Sequence, residues 1–133
     1  MNALAAFCRD HKIRQGHIPM FLAGFAEAEI VGTCEKRENP DASVWSRVYL
    51  ANAEAMGYGI IATDPESGGV LPHIHTMLGL KERSAVGHTS HLLSAGVQFL
   101  TEMLVVEVMA PTMMRLRDPK LYDVPLLTFA SSE

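Results

Sequence analysis

Cysteine is scarce in this chain, with two among 133 residues. Cys8 and Cys34 lie far apart and form no C-x-x-C pair, which argues against a disulfide framework. Two free, half-buried thiols in a reducing cytoplasm are the expectation. Long apolar runs are lacking as well. None reaches the roughly 18 residues that a membrane helix needs, and the longest apolar region, MLVVEVMAP, carries Glu107 inside it. The N-terminus, MNALAAFCRDHKIRQG, has no basic start, and Arg9, Asp10 and Lys12 interrupt it too early for a signal peptide. Nor is positive charge in excess. The net charge is -4 and the pI about 5.8, which argues against gripping nucleic acid through overall charge, because phosphate neutralisation needs clustered Lys and Arg. The basic groups that occur (Arg9, Lys12 and Arg14; Lys36 and Arg37; Arg115, Arg117 and Lys120) are interleaved with acids, as on a solvated face.

Several catalytic signatures are missing too. There is no G-x-x-x-x-G-K-[ST], G-x-S-x-G or H-E-x-x-H. The glycines of GYG and SGGV open no helix and so cradle no phosphate. Ser84, Ser90 and Ser94 lie near histidines, but no acid is placed to orient a Ser-His pair.

What is present is the balance of a soluble globular protein, 48% hydrophobic and 20% charged. With no break in composition, residues 1–133 are expected to form a single domain. Leu4, Phe7 and Cys8, with His11, recur at helical spacing and predict a helix from Asn2 to Ile13, capped by Gly16. Strands follow. HIPMFLAGFAEAEIVGTC predicts one or two, bent at Gly24, with Ala26, Ala28 and Ile30 on one face and Glu27 and Glu29 on the other. EKRENPDAS reads as a polar loop around Asn39-Pro40-Asp41. VWSRVYLANAEAMGYGIIAT predicts two strands joined near Ala51 to Glu54, and DPESGG a turn. VLPHIHTMLGL is the next strand, with Pro72 near its start, where a missing N–H does least harm. KERSAVG reads as a loop. HTSHLLSAGVQFLTEMLVVEVMAP is a long strand region broken at Ala95-Gly96. Its second part, Val97 to Met109, is apolar on both faces and needs cover on both. One helix can cover only one, so the other calls for a second sheet layer or another subunit. Over 110–133, Met113 to Arg117 predict an edge strand and YDVPLLTF an extended tail whose Leu126, Leu127 and Phe129 need a groove.

Four of the six histidines fall between Leu71 and Leu93. Residues i and i+2 of a strand share a face about 6.5 to 7 Å apart, so His73 and His75 can converge on one ion. A neighbouring strand beyond KERSAVG would supply a third imidazole, His88 or His91. Their spacing of three means that both cannot point the same way in a regular strand. Three neutral imidazoles with an open position suit zinc, and imidazole also suits nickel, copper and iron. Glu54, Glu102 and Glu107 are candidates for a fourth ligand, a general base or an interface ion pair. His11 and His17, beside the helix end, are expected to meet solvent.

PHIH, a short loop and GHTSHLLSAGVQFLTEMLVVEV, preceded by AMGYGIIAT and ESGGV, resemble the plant and prokaryote conserved (PPC) domain. The likeness spans about residues 1 to 110 and is most specific from Pro72 to Val108. It implies an α+β domain, an antiparallel-rich β-sheet packed against one N-terminal helix, assembled as a homotrimer in the single-domain prokaryotic manner. It also implies a divalent-metal site, zinc first. His73 and His75 match the family's P-H-x-H pair, and His91 matches the histidine of its G-G-H-L-like turn better than His88 does. Plant members sit beside AT-hook segments in nuclear DNA-binding proteins, and prokaryotic members carry a DNA-binding label by analogy. Two departures stand out. The family usually has a strand before its first helix, without which a sheet edge would be open, and this chain has no R-G-R-P hook. The readings that result are a cytoplasmic homotrimeric PPC-domain protein with a histidine metal site, a DNA-associated regulator, and a metal-dependent enzyme.

Overall fold

The computed structural model describes residues 1–34 and 45–130. The loop expected around Asn39-Pro40-Asp41 and the side chain of Cys34 lie outside the described part. One helix, α1 (Asn2–Asp10), precedes strands β1 (Gly16–Cys34), β2 (Trp45–Thr63), β3 (Val70–Leu80), β4 (Arg83–Glu107) and β5 (Thr112–Leu116), a 3-10 turn (Pro119–Leu121) and β6 (Leu126–Ala130). The strands form one six-stranded sheet ordered β1-β4-β3-β2-β5-β6, in which β1 also pairs with β2. The β3–β4 and β5–β6 pairs are antiparallel and the β2–β5 pair is parallel. The architecture is thus the α+β, antiparallel-rich sheet with one N-terminal helix that the sequence implies. The chain divides into two compact units, one of Met1–Pro19, Tyr58–His73 and Leu104–Glu133, the other of Met20–Gly57 and Ile74–Met103.

The helix stops three residues sooner than expected, and its left-handed residue is Lys12, at φ 60°, rather than Gly16. Gly16 instead opens β1. A Cβ there would collide with the carbonyl oxygen of Val106, so its bare backbone serves strand contact and not a helix cap. Cys8 is fully buried, and burial raises its thiol pKa above the ordinary value. His11 and His17 are both exposed, and the His11 ring lies 4.4 Å from that of Phe7. Gln15 ties this end of the chain to its C-terminal part. Its amide donates to the carbonyls of Val108 at 2.7 Å and Pro111 at 2.9 Å, and its Oε1 accepts the Met113 N–H at 2.7 Å.

Four strand expectations need correction. β1 is one strand, and it buries Ala28 and Ile30 but exposes Ala26. Its inward positions shift from Gly16 and Ile18 to Phe21, Ala23 and Phe25, then back to Ala28 and Ile30, so a single period of two does not hold along 19 residues. β2 is one continuous strand and not two, because Asn52 absorbs the irregularity in a left-handed conformation, φ 52°, that asparagine tolerates. β4 runs through Ala95-Gly96 without a break. Finally, β5 is not the edge strand. It lies between β2 and β6, and the expected tail is β6, paired residue for residue from Thr112↔Ala130 to Leu116↔Leu126.

The turn at DPESGG forms as expected. Ser67 Oγ donates to Asp64 Oδ2 at 2.8 Å, the Glu66 N–H donates to Oδ1 at 3.1 Å, and the backbones of Asp64 and Gly69 close the loop at 2.8 Å. The Ser67 hydroxyl, foremost, holds the Asp64 carboxyl below the usual carboxylate range.

The apolar second half of β4 is open on both faces among the described residues. Val97 and Phe99 are exposed on one face, Leu100, Leu104 and Val106 on the other, with Phe99 at 76%. Contiguous exposed apolar surface of this kind is uncommon on soluble monomers.

β2 is lined inward by small residues, Ala53, Ala55, Gly57 and Gly59. At Gly57 a Cβ would collide with the carbonyl oxygen of His75 and come 2.6 Å from Phe21 Cε1. Neither can yield cheaply, since one is backbone and the other a fully buried ring. Gly57→Ala is therefore expected to destabilise the fold by about 1–3 kcal/mol, the range for overpacking. The measurement is the urea midpoint, and an unchanged midpoint would contradict the close approach.

Candidate metal centre

The site is built by alternation on β3. Pro72, Ile74, Thr76 and Leu78 are buried, which leaves His73, His75 and Met77 on the opposite face, the two histidines half-buried. A residue pair two apart on a strand shares a face, so burial of Ile74 and Thr76 is what presents both imidazoles together. Thr76 fixes the local depth. It is 1% exposed, and its hydroxyl donates to the Met56 carbonyl at 3.2 Å.

The β3–β4 hairpin supplies the third imidazole. The pairs are His75↔His91, Thr76↔Ser90, Met77↔Thr89, Leu78↔His88 and Gly79↔Gly87. Directly opposed residues point to the same side of a sheet, so His91 shares the face of His73 and His75. His88 stands opposite the buried Leu78, on the other face. The rings of His75 and His91 meet edge to face, their centroids 5.7 Å apart. One ligand nitrogen from each of His73, His75 and His91 lies within 4.8 Å of the others. Nitrogens around a tetrahedral zinc are roughly 3.3 Å apart, given Zn–N bonds of about 2.0 Å. The three residues are thus a group that could hold one ion.

The hairpin is tighter than the sequence suggests. KERSAVG is not a loop: only Lys81 and Glu82 form the turn, and β4 starts at Arg83. Leu80 pairs with Arg83 and Gly79 with Gly87, so residues 84–86 are extra on β4. This bulge resets the phase between the turn and His91.

The acids considered as further ligands lie elsewhere. Glu54, Glu102 and Glu107 are exposed, and the three-histidine group contains no carboxylate among the described residues. Glu102 and Glu107 lie on the part of β4 whose apolar residues are open on both faces among the described residues. Neutral imidazoles alone leave a bound divalent ion its full positive charge, which suits a water, hydroxide or other anionic oxygen in a remaining position. Two buried polar side chains carry little signal in the sequence. Thr76 is hidden by its bland i, i+2 place among apolar residues, and Arg115 by its place in a group of basic residues that looks solvated.

No family model matches the chain, and no curated protein does. Solved structures do. The chain is similar to a plant- and prokaryote-conserved (PPC) protein of Pyrococcus horikoshii, TM-score 0.78, at 18% identity over 99% of this chain and 83% of that one. It is similar to a candidate DNA-binding protein of Ralstonia eutropha JMP134, TM-score 0.75, at 19% identity over 98% and 83%. It is also similar to a metal-containing protein of Archaeoglobus fulgidus, TM-score 0.74, at 18% identity over 98% and 84%.

Replacing Thr76 by Val removes the bond to Met56 while keeping the shape. A loss of about 1 kcal/mol in unfolding free energy is expected, the usual worth of such a bond, and a stabilised variant would contradict it. From β-strand periodicity through hairpin register to the shared architecture, the observations converge on one statement: the chain has the fold of the plant- and prokaryote-conserved (PPC) protein.

Proposed function

We propose that residues 1–133 act as a single PPC-domain protein that binds a divalent metal, zinc first, through His73, His75 and His91, and that it assembles as a homotrimer in the cytoplasm. The observation that carries the metal reading is the convergence of three ligand nitrogens within 4.8 Å. The Archaeoglobus neighbour's description as metal-containing supports it. His88 stays out of the ligand set. The assembly reading rests on Val97, Phe99, Leu100, Leu104 and Val106, which the described residues leave exposed.

A divalent ion held by His73, His75 and His91 would polarise a water in its open position, chemistry that metal-dependent enzymes use. In this chain the protein's own part is to hold the three rings and to set the open side. DNA association is the second reading, favoured by the description of the Ralstonia neighbour. The net charge of -4 means that only a local basic surface could carry it.

Protein purified without a nickel column and loaded with zinc is expected to hold close to one ion per chain. Single alanine replacements of His73, His75 or His91 should each lower the affinity at least about 100-fold, on the scale of losing one of three ligands, while His88→Ala leaves it unchanged. Equal affinities across the four variants would overturn the site. Sedimentation equilibrium tests the assembly: three chains are expected for the wild type, and a smaller species for the double variant Phe99→Lys and Leu104→Lys. A monomeric wild type would end the trimer reading. Salt-dependent binding to duplex DNA decides the second reading, since no binding at low salt removes it.

A further inference from the structure

Arg115 lies on β5 with 4% of its surface exposed. Its Nη1 donates to the Pro125 carbonyl at 3.4 Å. Its Nε and Nη2 are buried and have no hydrogen-bond partner among the described residues. Burial pushes the guanidinium's pKa below its ordinary value. Two acids of this region, Asp118 and Glu66, make other contacts. Asp118 accepts the Lys120 N–H at 2.9 Å, and Glu66 accepts from Arg117 Nε at 3.3 Å.

A buried cation without a counter-charge costs several kcal/mol, and an orphaned buried donor calls for an unseen partner. The identity of the two idle donors narrows that partner. Nε–H and Nη2–H project from one edge of the planar guanidinium as a parallel fork, the edge that receives two oxygens of one carboxylate or phosphate. Scattered waters would not select that edge. We propose that Arg115 binds an oxyanion, a carboxylate or phosphate group seated side-on against this fork beneath the β5–β6 pair. The donors are enclosed, so the anion enters when the connection to β6 opens. That connection holds two consecutive left-handed residues that are not glycine, Tyr122 at φ 58° and Asp123 at φ 60°, a conformation that costs free energy in residues with a Cβ. Arg115 Nη1 already holds the Pro125 carbonyl, so the segment leading into β6 is the one that would move.

The test is thermal unfolding of chelator-treated full-length protein, which keeps the histidine cluster out of the readout, in inorganic phosphate or acetate against chloride of equal ionic strength. Wild type is expected to gain roughly 5–10 °C at about a hundred-fold excess over the dissociation constant. Arg115→Lys, which keeps the charge but loses the fork, should need at least about ten-fold more anion. Arg115→Met should not respond, and should melt at or above anion-free wild type because no unpaired cation remains. An Arg115-dependent gain that grows with protein concentration instead of phosphate assigns the oxyanion to a carboxylate of a second copy. Equal responses in wild type and both variants overturn the proposal, as does a wild type that responds neither to anion nor to its own concentration. If Arg115→Met fails to fold, the Arg115→Lys comparison and equilibrium dialysis of phosphate against wild type decide in the same sense.

Discussion

The register between β3 and β4 is the constraint on which the candidate metal centre depends. In each directly opposed pair from His75↔His91 to Gly79↔Gly87 the two residue numbers have the same sum, and this one alignment decides which histidines share a face. A slip by one residue would turn His91 inward and bring His88 or Ser90 into its place, because the side-chain period is two. The slip is opposed by burial, since the turn that brings His91 inward would carry Leu92 out of the core. The alignment of the three histidines is thus held by core residues of both strands and by the bare Gly57 backbone, which lets the His75 carbonyl come close.

Much of this is legible in the sequence, and the physical reasons differ from part to part. β3 is legible to the residue because Val70–Leu80 alternates cleanly and is bounded by a strong turn. The pairing of His73 with His75 follows from strand geometry alone. The choice between His88 and His91 does not, since it depends on a bulge that no local propensity announces. β2 looks divided in sequence because Asn52 resembles a turn residue, yet its left-handed backbone is absorbed inside a strand that pairs on both sides. β6 looks like a tail because five mostly apolar residues carry little periodic signal, and pairing with β5 makes them a strand.

Arg115 shows where composition misleads. As one of three basic residues within six positions it reads as part of a solvated face, yet β5 alternates and turns Met113 and Arg115 inward while Thr112, Leu116 and Arg117 stay exposed. The same alternation that buries Ile74 beside two histidines buries a guanidinium here. Period-two geometry does not distinguish apolar from charged residues. It places both, and chemistry must then supply what the buried charge lacks.

The bulge at residues 84–86 has a further meaning for how such a hairpin can vary. A tight turn joined directly to a regular ladder would transmit every added or lost residue as a half-period error, turning His91 away from its partners. Slack beside the turn, on β4 only, lets changes of length be taken up before the ladder begins at Gly87. A change of length at the tip can therefore be absorbed in the bulge before it reaches the three imidazoles.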